Sequence, residues 1–308
     1  MRILNIGSIN IDYVYQTPHF VAAGETLEAT DRSIFMGGKG LNQTVAIARS
    51  GLNVSHVGVI GEDGHFLYDF LKAINVNIDH VRIDKTRASG HTFIQVTPDA
   101  ENAILYFPGT NHALDDTLID GAIKTLKKGD IVLTQNEVND VGQVLYKAHE
   151  AGMITVFNPA PFDAAVCHYP LDCVDVLILN QTEAQGMLGH TIDKPAEAIA
   201  TLQKRLPHAV IIMTLGADGV AYALPNELPK TLSAYPVKAV DTTGAGDTFV
   251  GYAMNSVISW FTNKDKEAFA RHIDTAVLAA GLSVTQRGAV DSIPTLKDVQ
   301  NAHRSIRK

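Results

Sequence analysis

Short apolar runs alternate with amphipathic stretches along most of the chain. Residues 2–7 and 54–60 read as buried strands, and between them Leu41, Val45, Ala48 and Leu52 recur at helical spacing, with Gly51 placed as a stop. The alternation returns over residues 130–134 (strand), 141–150 (helix), 154–158 (strand), 174–180 (strand), 196–205 (helix) and 210–215 (strand). Strands that are apolar on both faces and separated by helices predict βαβ units and a parallel sheet covered on both sides.

Residues 13–36 and 91–107 break this pattern. They lack helical periodicity and carry β-formers, among them Val14, Tyr15, Phe93, Ile94, Val96, Ile104, Leu105 and Tyr106, and Pro98-Asp99 marks a turn in the second segment. Both are expected to join one small antiparallel sheet inserted into the main body, placed to act as a lid. Its apolar side chains, Phe93, Ile94, Val96, Leu105 and Phe107, occupy more than one face and predict a covered surface, hence a homodimer. The expected architecture is α/β: a single domain over residues 1–308, with the lid strands inserted.

The 308 residues carry 25 basic and 33 acidic side chains, a net charge of −8, and no basic block, so no nucleic-acid partner is expected. Two cysteines, Cys167 and Cys173, exclude a disulfide scaffold, and the twelve histidines show no metal-ligand spacing. Apolar stretches fall far short of the roughly 20 residues that span a bilayer, and polar residues at Asn5, Ser8, Asn10 and Asp12 interrupt the start, so a cytoplasmic protein with no membrane partner is expected.

Three stretches could carry chemistry. In Asp241-Thr-Thr-Gly244-Ala-Gly246-Asp247 a strand is expected to end at Val240, a glycine turn follows, and an apolar helix begins near Thr248. Such a turn gathers successive N–H groups at the positive end of a helix dipole, a setting for a phosphate or a developing oxyanion. Asp247 would repel an anion there unless it moves a proton, and general-base catalysis on an alcohol is that kind of task. The second stretch, Met36-Gly37-Gly38-Lys39-Gly40-Leu41-Asn42-Gln43, again opens a helix with glycines that let backbone approach a ligand. The third, Gly7-Ser-Ile-Asn10-Ile-Asp12, lies at the C-terminal end of the first strand, the sheet edge where open α/β folds bind ligands, and its Asn10 and Asp12 suit vicinal hydroxyls. Nucleotide fingerprints fail: Phe249 occupies the third glycine of a dinucleotide motif, and Gly40 follows Lys39 where a Walker motif has Ser or Thr.

Taken together, in this order and spacing, the three stretches resemble the ribokinase family of sugar kinases. The resemblance extends over essentially the whole chain and takes in Asn158-Pro-Ala-Pro161, Asn180-Gln-Thr-Glu183, Thr214-Leu-Gly-Ala-Asp-Gly219 and Val284-Thr-Gln-Arg-Gly-Ala289. It implies a Rossmann-like αβα sandwich with a β-sheet lid, and transfer of the γ-phosphate of ATP to a sugar hydroxymethyl group. Carried over by motif, Asp247 is the base, with Gly244, Ala245 and Gly246 as the anion hole. Asn10, Asp12, Gly38, Lys39, Gly40, Asn42 and Glu137 would contact the sugar. Asn180, Thr214, Gly216, Gly219 and Gly246 would line the nucleotide site, and Glu183 would organise Mg2+ and its waters. Asp241, Thr243, Ser283, Gln286, Gly288 and Ser292 match the positions that hold K+.

Two positions depart from the family pattern. Val277 stands where an asparagine contacts the base, and Leu41 replaces a small residue and is expected to crowd the sugar site. D-ribose is the favoured acceptor; 2-keto-3-deoxygluconate, a fructose derivative or a nucleoside are alternatives within the class. A sugar-binding regulator without catalysis is a reading from another class, and the intact Gly244–Asp247 turn argues against it.

Overall fold

In the computed structural model the described residues are 1–99 and 101–306; Ala100, within the expected 91–107 hairpin, and residues 307–308 lie outside them. Among the described residues, nine strands form the main sheet, in the order Lys230–Leu232, Val220–Ala223, Val210–Thr214, Val176–Asn180, Ile154–Asn158, Ile131–Gln135, Ile3–Ile6, Val54–Gly61 and Asn77–Asp84. From Val210–Thr214 onward all neighbours run parallel; the two strands at the other edge pair antiparallel. The central strands are buried at every position, as continuous apolar runs in a doubly covered sheet require.

Two apolar cores flank this sheet. One gathers Leu41, Val45 and Ile47 of helix Lys39–Arg49 with Val250, Tyr252 and Val257 of Ala245–Asn263 and Phe269 and Ile273 of Lys266–Ser283. The other gathers Val144 and Leu145 of Val141–Glu150, Met187 of Gln181–Leu188, and Ile199 and Leu202 of Pro195–Arg205. This is the layered α/β sandwich that the alternating pattern predicts, and most expected elements lie within two residues of their anticipated bounds.

A second sheet has the order Asp31–Gly37, Asn10–Gln16, Gly90–Val96, Asn102–Phe107. It is mixed: Asn10–Gln16 runs parallel to Gly90–Val96 and antiparallel to Asp31–Gly37. Strand alternation splits its side chains between two faces. Asp12, Thr92 and Tyr106 fall in register on one of them. Tyr13, Phe93 and Leu105 share the other, where Ile34, Phe93, Leu105 and Phe107 are solvent-exposed.

Two expectations fail here: the small sheet is mixed where an antiparallel one is expected, and the strand before the glycine turn is absent among the described residues. No strand ends at Val240; the chain from 233 to 240 is irregular, and the edge strand stops at Leu232. The backbone N–H groups of Val240 and Asp241 both donate to the carbonyl of Val284, beyond the end of helix Lys266–Ser283, so β-formers here dock on a helix terminus instead of on a strand. Several elements carry no strong periodic signal and arise from tertiary context, among them strand Asn77–Asp84 and helix Lys266–Ser283, which packs along Ala245–Asn263.

Candidate active site

The parallel strands end together: Ile6 pairs with Thr134, Gln135 with Asn158, and Asn180 with Thr214. The chain leaving each strand therefore delivers Ser8, Asn10, Glu137, Asn158 and Asn180 to one edge of the sheet, where open parallel sheets form their ligand crevice. Helix Lys39–Arg49 and helix Ala245–Asn263 bring their N-terminal turns to the same edge.

The glycine-rich motif has a steric cause at each position. A Cβ on Gly37 would lie 1.9 Å from Asp12 Oδ2, and one on Gly40 would lie 2.4 Å from the Ser8 nitrogen. Gly38 takes φ +91°, which side-chain-bearing residues rarely adopt. The helix start thereby lies against the end of the first strand, with Leu41 N–H donating to Ser8 O at 2.8 Å. Leu41 itself points away from the crevice and is fully buried in the apolar core, so the expected crowding of the sugar site does not occur.

Asp247 is 7% exposed, and amide groups hold both of its oxygens. Asn42 Nδ2 donates to Oδ2 and Gln43 Nε2 to Oδ1, each at 2.9 Å. Helix Ala245–Asn263 begins at Gly244, φ +75°, with no side-chain cap. Ala245 N–H makes a long bond to Thr242 O at 3.3 Å, and beside Asp247 a Cβ built on Gly246 would meet nothing within 4 Å. An uncapped helix start with open space before it is a seat for an anion.

Around this point Lys39 faces the carboxyl groups of Asp247, Glu137 and Glu183. Glu137 Oε2 accepts from Ser8 Oγ at 2.5 Å and from Lys39 N–H at 3.0 Å. Burial pushes the Glu137 carboxyl above its ordinary range, and Lys39 and Ser8 oppose that shift. Lys39 is held more strongly protonated than a free lysine, chiefly by Asp247, with Glu137 and Glu183 adding to the effect. Asn42 Oδ1 is buried without a partner, an acceptor that a ligand hydroxyl could satisfy.

Asn10 and Asp12 enter from the small sheet. Asn10 Oδ1 accepts from Asn111 Nδ2 at 2.6 Å, while Asn111 Oδ1 accepts from Ile9 N–H at 3.0 Å. Burial raises the Asp12 carboxyl, against the hydrogen bond it accepts from Thr92. Tyr106 reaches across with long bonds, its hydroxyl donating to Glu137 O at 3.4 Å and accepting from Asn111 Nδ2 at 3.3 Å. Asn111 and Thr92 lie outside the stretches that the sequence marks, and Ser8 and Gln43 lie within them without an assigned role, because each is an ordinary polar residue until folding brings it beside a motif residue.

The expected nucleotide residues lie at the far end of the same edge. Asn180 and Glu183 form a reciprocal capping box: Asn180 Oδ1 accepts from Glu183 N–H, and both Glu183 oxygens accept from Asn180. Thr214 ends the adjoining strand, and Gly216 and Gly219 shape the turn after it with φ +60° and +104°. Packing alone requires Gly219, since its Cβ would lie 2.1 Å from Leu232 O. Val277 is buried in the helical core.

The remaining set lies behind the anion site. Asp241 Oδ1 accepts from Thr243 N–H and Oγ1, and Oδ2 accepts from Gly288 N–H at 2.9 Å. Burial opposes its ionisation, and these donors together outweigh it, holding the carboxyl below its usual value. Ser283 and Ser292 are buried, and each hydroxyl donates three residues back, to Ala280 O and Ala289 O, so both oxygens keep lone pairs. Gln286 is exposed. The donors are hard oxygens, which suits a cation such as K+. Among the described residues no three His, Cys, Asp or Glu side chains converge as a metal site, and no helix is long and apolar enough to cross a membrane.

Known proteins are similar to this chain over nearly its whole length. A ribokinase of Haemophilus influenzae is 31% identical over 299 residues, covering 95% of both chains. The crystal structure of a Cryptococcus neoformans ribokinase in complex with ADP is 31% identical, with a TM-score of 0.86 over 98% of this chain and 99% of that one. An Arabidopsis thaliana ribokinase complexed with ribose and ATP is 27% identical, with a TM-score of 0.81 over 97% of each chain. Residues 2–296 match the model of the pfkB family carbohydrate kinases. The chain belongs to that family.

Proposed function

We propose that the protein is an ATP-dependent sugar kinase that transfers the γ-phosphoryl group to the hydroxymethyl group of D-ribose, giving ribose 5-phosphate and ADP. The observation that carries this reading is the Asp247 carboxylate, gripped by two amide donors beside an uncapped glycine helix start. Ribokinase relatives that cover nearly the whole chain support ATP and ribose as the substrates.

The sugar lies between the small sheet and the sheet edge, with Asn10, Asp12, Gly38, Lys39, Gly40, Asn42 and Glu137 as its contacts. Asp247 accepts the proton of the hydroxymethyl group. That oxygen bonds to the γ-phosphorus as the bond to the β–γ bridging oxygen breaks, and the pair on that oxygen leaves with ADP. Charge on the transferring group is met by the N–H groups of Gly244, Ala245 and Gly246. Lys39 offsets the repulsion that Asp247, Glu137 and Glu183 would exert on a triphosphate. Asn180, Thr214, Gly216 and Gly219 line the nucleotide side.

Mg2+ borne by the nucleotide neutralises phosphate charge when bound. Glu183 suits its hydration shell, since Mg2+ keeps several waters and needs few protein ligands. Asp241, Thr243, Ser283, Gln286, Gly288 and Ser292 would hold K+ behind the anion site and steady its amides. The chain works as one domain over residues 1–308, with the small sheet as a lid that excludes water from the transfer. The lid's exposed apolar face pairs with a second copy. A reaction fed by ATP suits the cytoplasm.

The test is ATP consumption by the purified protein against pentoses, hexoses, keto-deoxy acids and nucleosides. Turnover with ribose and release of ribose 5-phosphate are expected. Turnover confined to another sugar would replace the substrate, and no turnover with any acceptor would remove the kinase reading.

A further inference from the structure

Behind Asp247 lies a buried chain of amides that the proposed chemistry does not use. Gln43 Nε2 donates to Asp247 Oδ1 and to Asn158 Oδ1, each at 2.9 Å. Gln43 Oε1 accepts from Gln135 Nε2 at 2.7 Å, and the same nitrogen donates to Asn5 Oδ1 at 2.8 Å. Asn5 Nδ2 donates to Gly40 O and to Thr44 Oγ1, both at 2.8 Å. Asn5, Gln43 and Gln135 are wholly shielded from solvent.

An amide can usually turn over, exchanging oxygen for nitrogen. This chain cannot. At one end Asn5 meets the Gly40 carbonyl, and at the other Asn158 Nδ2 donates to the Ile178 carbonyl at 2.9 Å. Backbone carbonyls only accept, so both terminal amides must turn their nitrogens toward them. Their oxygens then face inward, Gln135 must donate to Asn5, and Gln43 must accept from Gln135. The only face Gln43 can offer Asp247 is its N–H. The arrangement has a penalty: Gln135 Oε1 is buried with no partner, and such a group calls for an explanation.

We propose that Gln43 is a positioning residue for the reaction, holding the Asp247 carboxylate in one orientation toward the acceptor hydroxyl, and that the Asn5–Gln135–Gln43 chain exists to fix the polarity of that bond. This rests on the reading of Asp247 as the base. Asn42 holds the other oxygen, so the pair defines the carboxylate plane, as transfer geometry sensitive to displacements of an ångström requires.

The test is steady-state kinetics with ATP and D-ribose for wild type, Gln43→Met, Gln135→Met and Asp247→Asn. Gln43→Met keeps the length of the side chain and removes the donor. Its kcat is expected to fall about tenfold to a hundredfold, with the ribose KM within about threefold of wild type. Gln135→Met contacts neither Asp247 nor the sugar residues and should lower kcat in the same direction by a smaller factor. A kcat for Gln43→Met within about twofold of wild type overturns the proposal, as does a ribose KM that rises as far as kcat falls. If Gln43→Met does not fold, Gln135→Met decides, and an unchanged kcat there overturns it. Asp247→Asn separates the two readings: activity in that variant removes the base, whereas its inactivity beside a normal Gln43→Met removes only the positioning role. Thermal unfolding of Gln43→Met, Asp247→Asn and the double variant gives a reading independent of turnover. Non-additive losses of Tm support a bond shared by the two groups, and additive losses overturn it.

Discussion

Asp12 and Thr92 face each other across adjacent parallel strands, and Thr92 Oγ1 donates to Asp12 Oδ1 at 2.6 Å. The other oxygen, Oδ2, lies against Gly37, where no side chain would fit. One strand of the small sheet thus holds the carboxylate supplied by its neighbour. In the proposed site that carboxylate accepts hydrogen bonds from sugar hydroxyls. Losing one partner of a desolvated charged contact costs about 1.5–3 kcal/mol. Asp12→Ala should therefore raise the sugar KM at least about tenfold and leave the ATP KM nearly unchanged, and Thr92→Val should act in the same direction more weakly. Unchanged Michaelis constants for the sugar would move its site elsewhere.

Asp247→Asn is expected to lower kcat by about 10²–10⁴ or more while sugar binding persists. The structure adds a second consequence. Asn42 and Gln43 both donate to this side chain, and an asparagine has one acceptor to offer two donors. The variant should also melt at a lower temperature, by a few degrees for about 1 kcal/mol. Turnover above a tenth of wild type would defeat the assignment of the base.

Much of this was legible in the chain, and what was missed has a common cause. The parallel strands declare themselves because burial on both faces leaves them uniformly apolar, as at Ile131–Gln135. The glycines at 37, 38, 40 and 244 stand out because backbone conformation and close approach demand glycine there. Gln43, Gln135, Asn5 and Asn111 gave no such signal. Asn5 and Gln135 sit on buried strands, Gln43 on a helix and Asn111 in a short helical turn, and the bonds that join them to Gly40, Asp247 and Asn10 and to one another span 35 to 204 positions. Val237 and Val240 misled in the other direction. As β-formers they suggested a strand, yet both are exposed, and Val240 docks on Val284.

Potassium should accelerate turnover more than sodium does. Asp241 ties residues 241–243 to Gly288, and this tie lies directly behind Gly244, whose added Cβ would sit 3.1 Å from Ala289 Cα. A cation held there would brace the helix start that receives the phosphoryl charge. Asp241→Ala should remove the potassium response and lower kcat more than it changes either KM. Equal rates in potassium-free buffer would dismiss the cation.

The outer face of the lid should hold two copies together. Phe93 stacks on Tyr13 with centroids 5.4 Å apart, while Leu105 and Phe107 are 69% and 50% exposed. An exposed sheet this apolar is an aggregation hazard unless covered. Light scattering at micromolar concentration should give a dimer, and Leu105→Lys with Phe107→Lys should give a folded monomer. A wild-type monomer would refute the pairing.

His56 sets a pH dependence that lies outside the crevice. It is fully buried on strand Val54–Gly61, its Nδ1 is 2.7 Å from Thr44 Oγ1, and burial lowers its pKa from 6.5 to about 4. Thr44 already accepts from Asn5, so its hydroxyl proton is available for Nδ1, and the neutral ring completes the amide chain. In the unfolded chain the ring takes up its proton near pH 6.5; in the folded protein it does not until about pH 4. Between those values the unfolded state binds more protons, so stability rises with pH across the window. The contribution is complete above pH 6.5 and is lost as pH falls toward 4, by about 3 kcal/mol at 1.36 kcal/mol per unit. His56→Leu removes this group from the balance, although it leaves Thr44 without its acceptor. Its Tm at pH 7.5 should therefore lie below that of wild type, and the gap should narrow as the buffer is taken toward pH 4.5. A gap that stays constant across the range would mean that the imidazole titrates alike in both states, and that burial does not keep it neutral.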